Sequence, residues 1–142
     1  GKGGEYPEHL ESRKTSRRGQ PLMLRPVRIS DEPLLKDFFY SLSDRSMYRR
    51  FLTPTWEMSH ERLQGFVVID YTKEMIILAT VEEDGREQVV GLGEYYLEDD
   101  GLWANVAFAV RDTHQNRGIG MTSRFILPIM LASRRCCSSA WW

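Results

Sequence analysis

Apolar positions recur along the chain with two different spacings, and each spacing predicts a different element. After residue 33, apolar side chains stand three and four positions apart, which is typical of the buried face of an amphipathic helix; they are Leu34, Leu35, Phe38, Phe39 and Leu42. The preceding Ser30-Asp31-Glu32-Pro33 supplies a capping side chain, acidic residues and a proline for the first turn. A second helix is predicted to begin at Ser59, with Leu63, Phe66 and Val67 on one face.

From residue 74 the spacing becomes that of strands. Three strands are predicted by apolar runs and alternation, and they cover residues 75–81, 89–97 and 102–110. Asp84-Gly85 and Asp99-Asp100-Gly101 are turn sequences between these strands, so we expect an antiparallel meander. Within the second strand, Gly91 and Gly93 favour a bulge or close packing.

One further strand is predicted near the start of the chain and one further helix near its end. The run from Leu22 to Ile29 is strand-like, and Pro26 inside it suits an edge strand or a strand end. Residues 121–135 have a helical pattern, although Pro128 would cost about 3 kcal/mol inside a regular helix. The order strand, helix, helix, three strands, helix predicts an α+β fold in which helices cover a sheet.

Composition divides the chain into a leader, a domain and a tail. A length of 142 residues with 42% hydrophobic residues suits one globular domain. Residues 1–21 are punctuated by glycine and proline and predict a basic leader or linker; the domain is expected over 22–135, and 136–142 form an atypical tail. Residues 1–28 carry seven basic and three acidic side chains, against 19 and 20 in the whole chain. This pattern indicates a basic arm on a mildly acidic body.

Charge, apolar run length and cysteine usage argue against several classes of protein. The basic cluster of the leader has no interleaved aromatic residues, so nucleic-acid binding is not favoured; it consists of Arg13, Lys14, Arg17 and Arg18. The longest apolar run, 125–132, is far shorter than the roughly 20 residues of a membrane-spanning helix. Cys136 and Cys137 are adjacent and lack metal-ligand spacing. We therefore expect a cytoplasmic protein with no metal site.

Candidate chemistry lies where the third strand of the meander ends. The loop there has the form Q-x-x-G-x-G, with Gln115, Gly118 and Gly120, and a helix is predicted to begin at the glycines. Glycines let a backbone approach a ligand closely, and the first N–H groups of a helix have no internal partners. Together with the helix dipole they form an anion site suited to a pyrophosphate, to which Arg117 adds charge. Taken alone, such a loop also fits a plain helix boundary.

The segment from Ala104 to Gly120 resembles motif A of the GNAT acyltransferases, which bind acetyl-CoA or another acyl-CoA. Other segments are similar to one subgroup, the acetyltransferase domains fused to acyl-CoA-synthetase-like modules, which include bacterial protein lysine acetyltransferases. These segments are Tyr6-Pro7-x-x-Leu10, Leu24-Arg25-Pro26-Val27-Arg28, Phe38-Phe39-x-Ser41-Leu42-Ser43-x-Arg45-Ser46-x-Tyr48-x-Arg50-Phe51 and Asp70-Tyr71. The resemblance implies a GNAT-like mixed, mainly antiparallel sheet flanked by helices.

The resemblance also implies an N-acetyltransferase that transfers an acyl group from acetyl-CoA or another acyl-CoA to an amine, either a protein lysine or a small molecule. In this family the amine attacks the thioester directly while both substrates are bound. Carried over by position, the pantetheine arm and the thioester carbonyl would meet backbone groups of Phe108, Ala109 and Val110. The pyrophosphate would be held by Gln115, Asn116, Arg117, Gly118, Ile119, Gly120 and Met121.

The chain departs from the family at the position of a common catalytic glutamate. Related enzymes often carry this glutamate in the third strand of the meander, where this chain has Asn105. An amide cannot accept the proton of an ammonium group, and a lysine with a pKa of about 10.4 is mostly protonated at neutral pH. Glu94 is a candidate acting through water, but the sequence favours a solvated surface carboxylate there. No catalytic residue is assigned, and a non-catalytic acyl-CoA-binding or regulatory domain is the alternative function.

A second departure concerns the segment after Gly120. The family continues with a strand, a helix and a final strand, and often with a tyrosine that acts as general acid, whereas no tyrosine follows Tyr96 here. We therefore expect a sheet truncated at its C-terminal end, and a tail that reads as if it came from another reading frame. Exposed apolar residues at this incomplete end would favour a homodimer; they are Phe125, Ile126, Leu127 and Trp141.

Overall fold

The computed structural model describes residues 5–16, 18–42, 58–97 and 104–111 together with Pro128, including their side chains except those of Leu97 and residues 104–107. The strands and α-helices of this part of the chain are β1 (Ser12–Thr15), β2 (Pro21–Pro26), α1 (Glu32–Ser41), α2 (His60–Val67), β3 (Glu74–Glu83), β4 (Arg86–Leu97) and β5 (Ala104–Val110). Single-turn 3-10 helices, Glu8–Leu10 and Ile29–Asp31, precede β1 and α1.

The described strands form one sheet in the order β1-β2-β3-β4-β5, and every neighbouring pair is antiparallel. Strands β3, β4 and β5 are the predicted meander. Helices α1 and α2 contribute buried side chains to the same core as one face of this sheet. The predicted α+β fold is confirmed.

The leader expected over residues 1–21 requires a correction. Residues 12–15 form β1, which pairs with β2 from Ser12 opposite Leu24 to Thr15 opposite Pro21. Their exposed and polar side chains concealed this strand from hydrophobic patterning, because an edge strand is held by backbone hydrogen bonds as well as by burial. Strand β2 is consequently an inner strand that ends at Pro26, so the strand-end interpretation of this proline is right and the edge interpretation is wrong.

Alternation along the strands divides the core into two parts, one on each face of the sheet. On β3, Ile76 and Leu78 pack with α1 and α2 in the helix-side core. Met75, Ile77 and Ala79 lie in the opposite core, together with Leu10 of the first 3-10 helix. Both faces of β3 are therefore buried, which explains its continuous apolar sequence.

Two local sequence signals act as expected. The side chain of Ser59 accepts a hydrogen bond from the backbone N–H of Arg62 at 3.2 Å and caps α2. Asp84 and Gly85, with φ of 54° and 76°, make the tight turn between β3 and β4. At α1 the helix begins one residue after Asp31, whose side chain makes no capping bond to that helix.

A β-bulge interrupts β4 next to Gly91, where the sequence predicts a bulge or close packing. The register pairs Ala79 with Gly91 but Thr80 with Val89, so Val90 is the extra residue. The bulge shifts the alternation, because Val89 and Leu92 lie in the helix-side core and Val90 lies in the opposite core.

Other predicted features fall outside the described residues: the turn over 99–101, the tail over 136–142, and the apolar end thought to mediate a homodimer. Of the helix predicted over 121–135, only Pro128 is described, in helical conformation and exposed. In the described ranges no helix is both long and apolar enough to cross a membrane. The same ranges hold no group of three or more His, Cys, Asp or Glu side chains arranged for a metal ion.

Candidate functional site

The candidate site is the end of β5, where the predicted glycine-bearing loop leaves the sheet. Strand β5 pairs with β4 from Gly91 opposite Val110 to Leu97 opposite Ala104, and it is the last strand of the described sheet. One side of β5 is thus bonded to β4, and its other side forms an edge of this sheet.

The ladder determines which backbone groups of β5 point to that edge. The N–H of Arg111 donates to the carbonyl oxygen of Val90 at 2.8 Å. Because such bonds alternate along an antiparallel pair, the N–H and C=O of Ala109 also point toward β4, whereas those of Phe108 and Val110 point away from it. Of the three residues expected to contact the pantetheine arm and thioester, Ala109 therefore directs its backbone N–H and C=O toward β4, and Phe108 and Val110 direct theirs away from it.

The side chains of these residues belong to the two cores. Ala109 is buried on the helix side. Phe108 and Val110 are partly buried against the opposite core. The residues expected to hold the pyrophosphate lie outside the described part of the chain, from Gln115 to Met121.

Arg111 anchors the end of β5, a role that the sequence analysis did not identify. Its guanidinium is buried, and Nε donates to the carbonyl oxygen of Val89 at 3.0 Å. Nη2 donates to the carboxylate of Asp37 on α1 at 2.8 Å. Arg111 thereby ties the end of β5 to β4 beside its bulge and to α1. The signal in the sequence that could have identified this role is a charged residue, Arg111, directly after an apolar strand.

Glu94 occupies an unusual place on β4. It stands opposite Ile76 of β3 and Ala107 of β5, and alternation puts it on the helix-covered face with Leu92. Its side chain is partly buried. Burial, and secondarily the negative charge of Glu74, raises the pKa of Glu94 to about 7. The interpretation of Glu94 as a solvated surface carboxylate is therefore wrong.

A second acidic residue, Glu74 at the start of β3, lies near Glu94. It pairs in register with Tyr96, the next residue after Glu94 on the same face of β4. The pKa of Glu74 is also raised, by burial first and then by the charge of Asp70. Two neighbouring carboxyl groups thus hold protons more tightly than carboxyl groups in water do.

Two tyrosines follow Glu94 on β4, and the second of them, Tyr96, pairs in register with Asn105 of β5. The register places Asn105 opposite Tyr96, two residues from the partner of Glu94. Tyr95 is buried in the core opposite the helices, and Tyr96 is 50% exposed, so the prediction that this pair divides between the two faces is confirmed. Tyr96 consequently lies exposed beside Glu94.

Comparisons with known proteins agree with this architecture. The model of the Acetyltransferase (GNAT) family matches residues 39–122, more than half of the chain. The GNAT domain of S. lividans PAT is 28% identical and superposes with a TM-score of 0.77, covering 92% of this chain and 75% of that one. A cAMP-binding acyltransferase from Mycobacterium smegmatis shares the fold at 24% identity and a TM-score of 0.52, covering 89% of this chain and 35% of that one.

Among curated proteins, Acetyltransferase PA5475 of Pseudomonas aeruginosa is 28% identical over 117 residues. The alignment covers 82% of this chain, which spans 62% of the length of that relative. The resemblance inferred from the sequence is thereby confirmed. With a family match over most of its length and the sheet of a GNAT domain, the chain belongs to the GNAT acetyltransferase family.

Proposed function

We propose that this chain binds acetyl-CoA or another acyl-CoA as co-substrate and transfers the acyl group to an amine. The observation that carries the proposal is the register of β5, which directs the backbone groups of Phe108 to the sheet edge a few residues before the Q-x-x-G-x-G segment. Membership of the GNAT family supports acyl transfer as the general reaction.

In the proposed complex, the pantetheine arm of the acyl-CoA extends along the edge of β5. The pyrophosphate binds the N–H groups of residues 115–121, as anions bind at helix N-termini. A backbone N–H of β5 directed at the thioester oxygen stabilises the negative charge that develops when the amine attacks the carbonyl carbon. The reaction proposed here needs no metal ion.

We favour a protein lysine as the acceptor. The support is the match with the GNAT domain of S. lividans PAT, which covers 92% of this chain, and the similarity of the upstream segments to bacterial protein lysine acetyltransferases. The exposed ring of Tyr96 offers a surface for the aliphatic part of a lysine side chain. The cytoplasm, where acyl-CoA is available, is the compartment that goes with this reaction.

A second candidate function is acyl-CoA binding without turnover. Asn105 favours it, because an amide at the common glutamate position removes a proton acceptor. Saturable binding of acetyl-CoA with no acetylated product would select this alternative.

The test is amine-dependent release of CoA, followed with a thiol reagent, from acetyl-CoA and a peptide with one free lysine side chain. The proposal predicts release that requires the peptide, and a peptide mass increased by one acetyl group. A chain that releases no CoA in the presence of the peptide would refute the proposed transfer, whether or not it binds acetyl-CoA.

Paired variants of Phe108 test the role of the β5 backbone. Phe108→Pro removes the N–H that points away from β4, whereas Phe108→Ala keeps it, and both lose the ring. We expect kcat/KM for acetyl-CoA to be about tenfold lower in the proline variant than in the alanine variant, since one hydrogen bond contributes about 1 kcal/mol. Equal values would show that this N–H does not contact the substrate.

A further inference from the structure

Glu94 lies next to the strand on which the proposed thioester contacts are located. Its register partner on β5 is Ala107, one residue before Phe108. Asn105 is two residues from that partner, and such diagonal positions on adjacent strands are about 7–8 Å apart. Glu94 is therefore one strand away from the position at which related enzymes carry their glutamate.

The surroundings of Glu94 leave its carboxylate available for a proton. In the described ranges, no side chain hydrogen-bonds or ion-pairs with it. A partly buried carboxylate with no cation or donor beside it is costly as an ion and has a correspondingly high affinity for a proton. This distinguishes Glu94 from Asp31, Asp37 and Glu32, whose carboxylates are all bound by side chains of other residues.

The charged groups on the elements packed against β4 are few. Strand β3 contributes Glu74, which repels the ionised form of Glu94. Helix α1 contributes Glu32, which is bound by His60 and Gln64, Lys36, which is exposed, and Asp37, which is bound by Arg111 at the end of β5. On its own strand, Tyr96 is the neighbouring ionisable side chain of this face, and Glu87, near the start of β4, is paired with Arg25.

We propose that Glu94 accepts the proton that the acceptor amine must lose, and that Glu74 adjusts the pH at which it does so. This inference rests on the proposed acyl transfer and assigns its proton acceptor to β4 in place of the position held by Asn105.

Both protons that the acceptor nitrogen loses have a defined destination. The ammonium group gives one proton to the carboxylate of Glu94, directly or through one water, and the amine then attacks the thioester carbonyl carbon. A C–N bond forms and the C–S bond breaks, and the second nitrogen proton is transferred to the leaving CoA sulfur. Glu94 then returns its proton to solvent. The products are an acylamide, CoA thiol and one proton.

The experiment compares the full chain with Glu94→Gln in CoA release from acetyl-CoA and a lysine peptide between pH 5.5 and 9. Loss of a positioned base lowers the rate by about a hundredfold to ten-thousandfold. For the unaltered chain we expect kcat/KM to rise with pH up to a break near pH 7, where Glu94 ionises. For Glu94→Gln we expect a much lower rate that rises with pH as the ammonium group of the acceptor loses its proton, with no break near pH 7.

Glu74→Gln provides a readout that a purely structural role of Glu94 would not produce. Removing the neighbouring negative charge lowers the proton affinity of Glu94, so the break should move to lower pH. Glu82→Gln, at an exposed position further along β3, is the matched control and should leave the profile unchanged. The dissociation constant for acetyl-CoA, measured by calorimetry, should be the same in all four proteins.

The outcomes separate this inference from the proposed function. An active chain whose Glu94→Gln variant keeps its rate and its break overturns the inference alone. Loss of acetyl-CoA binding in Glu94→Gln also overturns it, because Glu94 would then support the fold rather than take up a proton. Acetyl-CoA binding without CoA release by the unaltered chain refutes both proposals.

Discussion

At the scale of single residues, Glu94 is expected to lower the stability of the fold when it is ionised. Its pKa is about 7 in the folded chain, against the ordinary 4.5, so the folded state binds the proton more tightly than the unfolded state. Stability therefore falls as pH rises from about 4.5 to about 7, and the loss is complete above that range. The ionised form of Glu94, which is the form that can accept a proton, is therefore also the form that makes the fold less stable.

Replacing Glu94 with glutamine should thus stabilise the chain at alkaline pH. Since one pKa unit corresponds to about 1.4 kcal/mol, we expect a gain of up to about 3 kcal/mol at pH 8.5 that diminishes toward pH 4.5. Urea unfolding of both proteins across this range measures the effect. Parallel stability curves would contradict the assigned pKa.

A second residue-scale prediction concerns Asp31, which connects β2 to α1. Both of its carboxylate oxygens accept hydrogen bonds from Arg25 at 2.7 Å, and both side chains are buried. We expect Asp31→Asn to destabilise the fold by about 3–5 kcal/mol, because it leaves a buried guanidinium poorly compensated. Glu11→Gln, in the more exposed pair with Arg28, should cost less than about 1 kcal/mol. Chemical denaturation measures the free energy of unfolding of both variants, and similar losses in Asp31→Asn and Glu11→Gln would contradict the prediction.

At the scale of elements, two glycines with equally open surroundings should respond in opposite directions to alanine. The Cβ of an alanine at Gly65 or at Gly85 would lie in open space, so packing does not separate the two positions. Gly65 lies in α2, where alanine should stabilise by about 0.5–1 kcal/mol. Gly85 has a φ of 76°, where alanine should destabilise by about 1 kcal/mol or more. Thermal unfolding of the two variants should show melting temperatures displaced in opposite directions.

Elements with strong local signals could be predicted from the sequence. The capping serine of α2, the turn at Asp84-Gly85 and the apolar run of β3 each act within a few residues, so their patterns were sufficient. Strand β1 has polar side chains that are exposed at three of its four positions, and its place depends on pairing with β2. A hydrophobic pattern does not show which residues of β2 pair with the backbone of β1.

At the scale of the whole molecule, acyl-CoA binding should be visible as stabilisation of the folded chain. A ligand present at a hundred times its dissociation constant adds about 2.7 kcal/mol, which should raise the melting temperature by several degrees. Acetyl-pantetheine, which has no pyrophosphate, should stabilise less at the same concentration if residues 115–121 bind that group. Equal shifts with the two compounds would remove the pyrophosphate from the proposed site.

The candidate site shows the same division between local and distant information. The Q-x-x-G-x-G segment and the residues Phe108, Ala109 and Val110 could be named from the sequence because their order along the chain carries the signal. The environment of Glu94 could not be predicted, since it depends first on burial in the folded sheet and then on Glu74, which lies on the neighbouring strand. The anchoring role of Arg111 depends on contacts with Asp37, 74 residues earlier, and with Val89.

The sequence by itself determined the class of fold, the order of its elements from β2 to β5 and the family, because these follow from short-range periodicity, turn chemistry and a contiguous motif. Tertiary structure decided the edge strand, the bulge, the burial of Glu94 and which backbone groups of β5 point away from the sheet. Each of these depends on strand register, and a shift of one residue in register would reverse the face or the direction of every group involved.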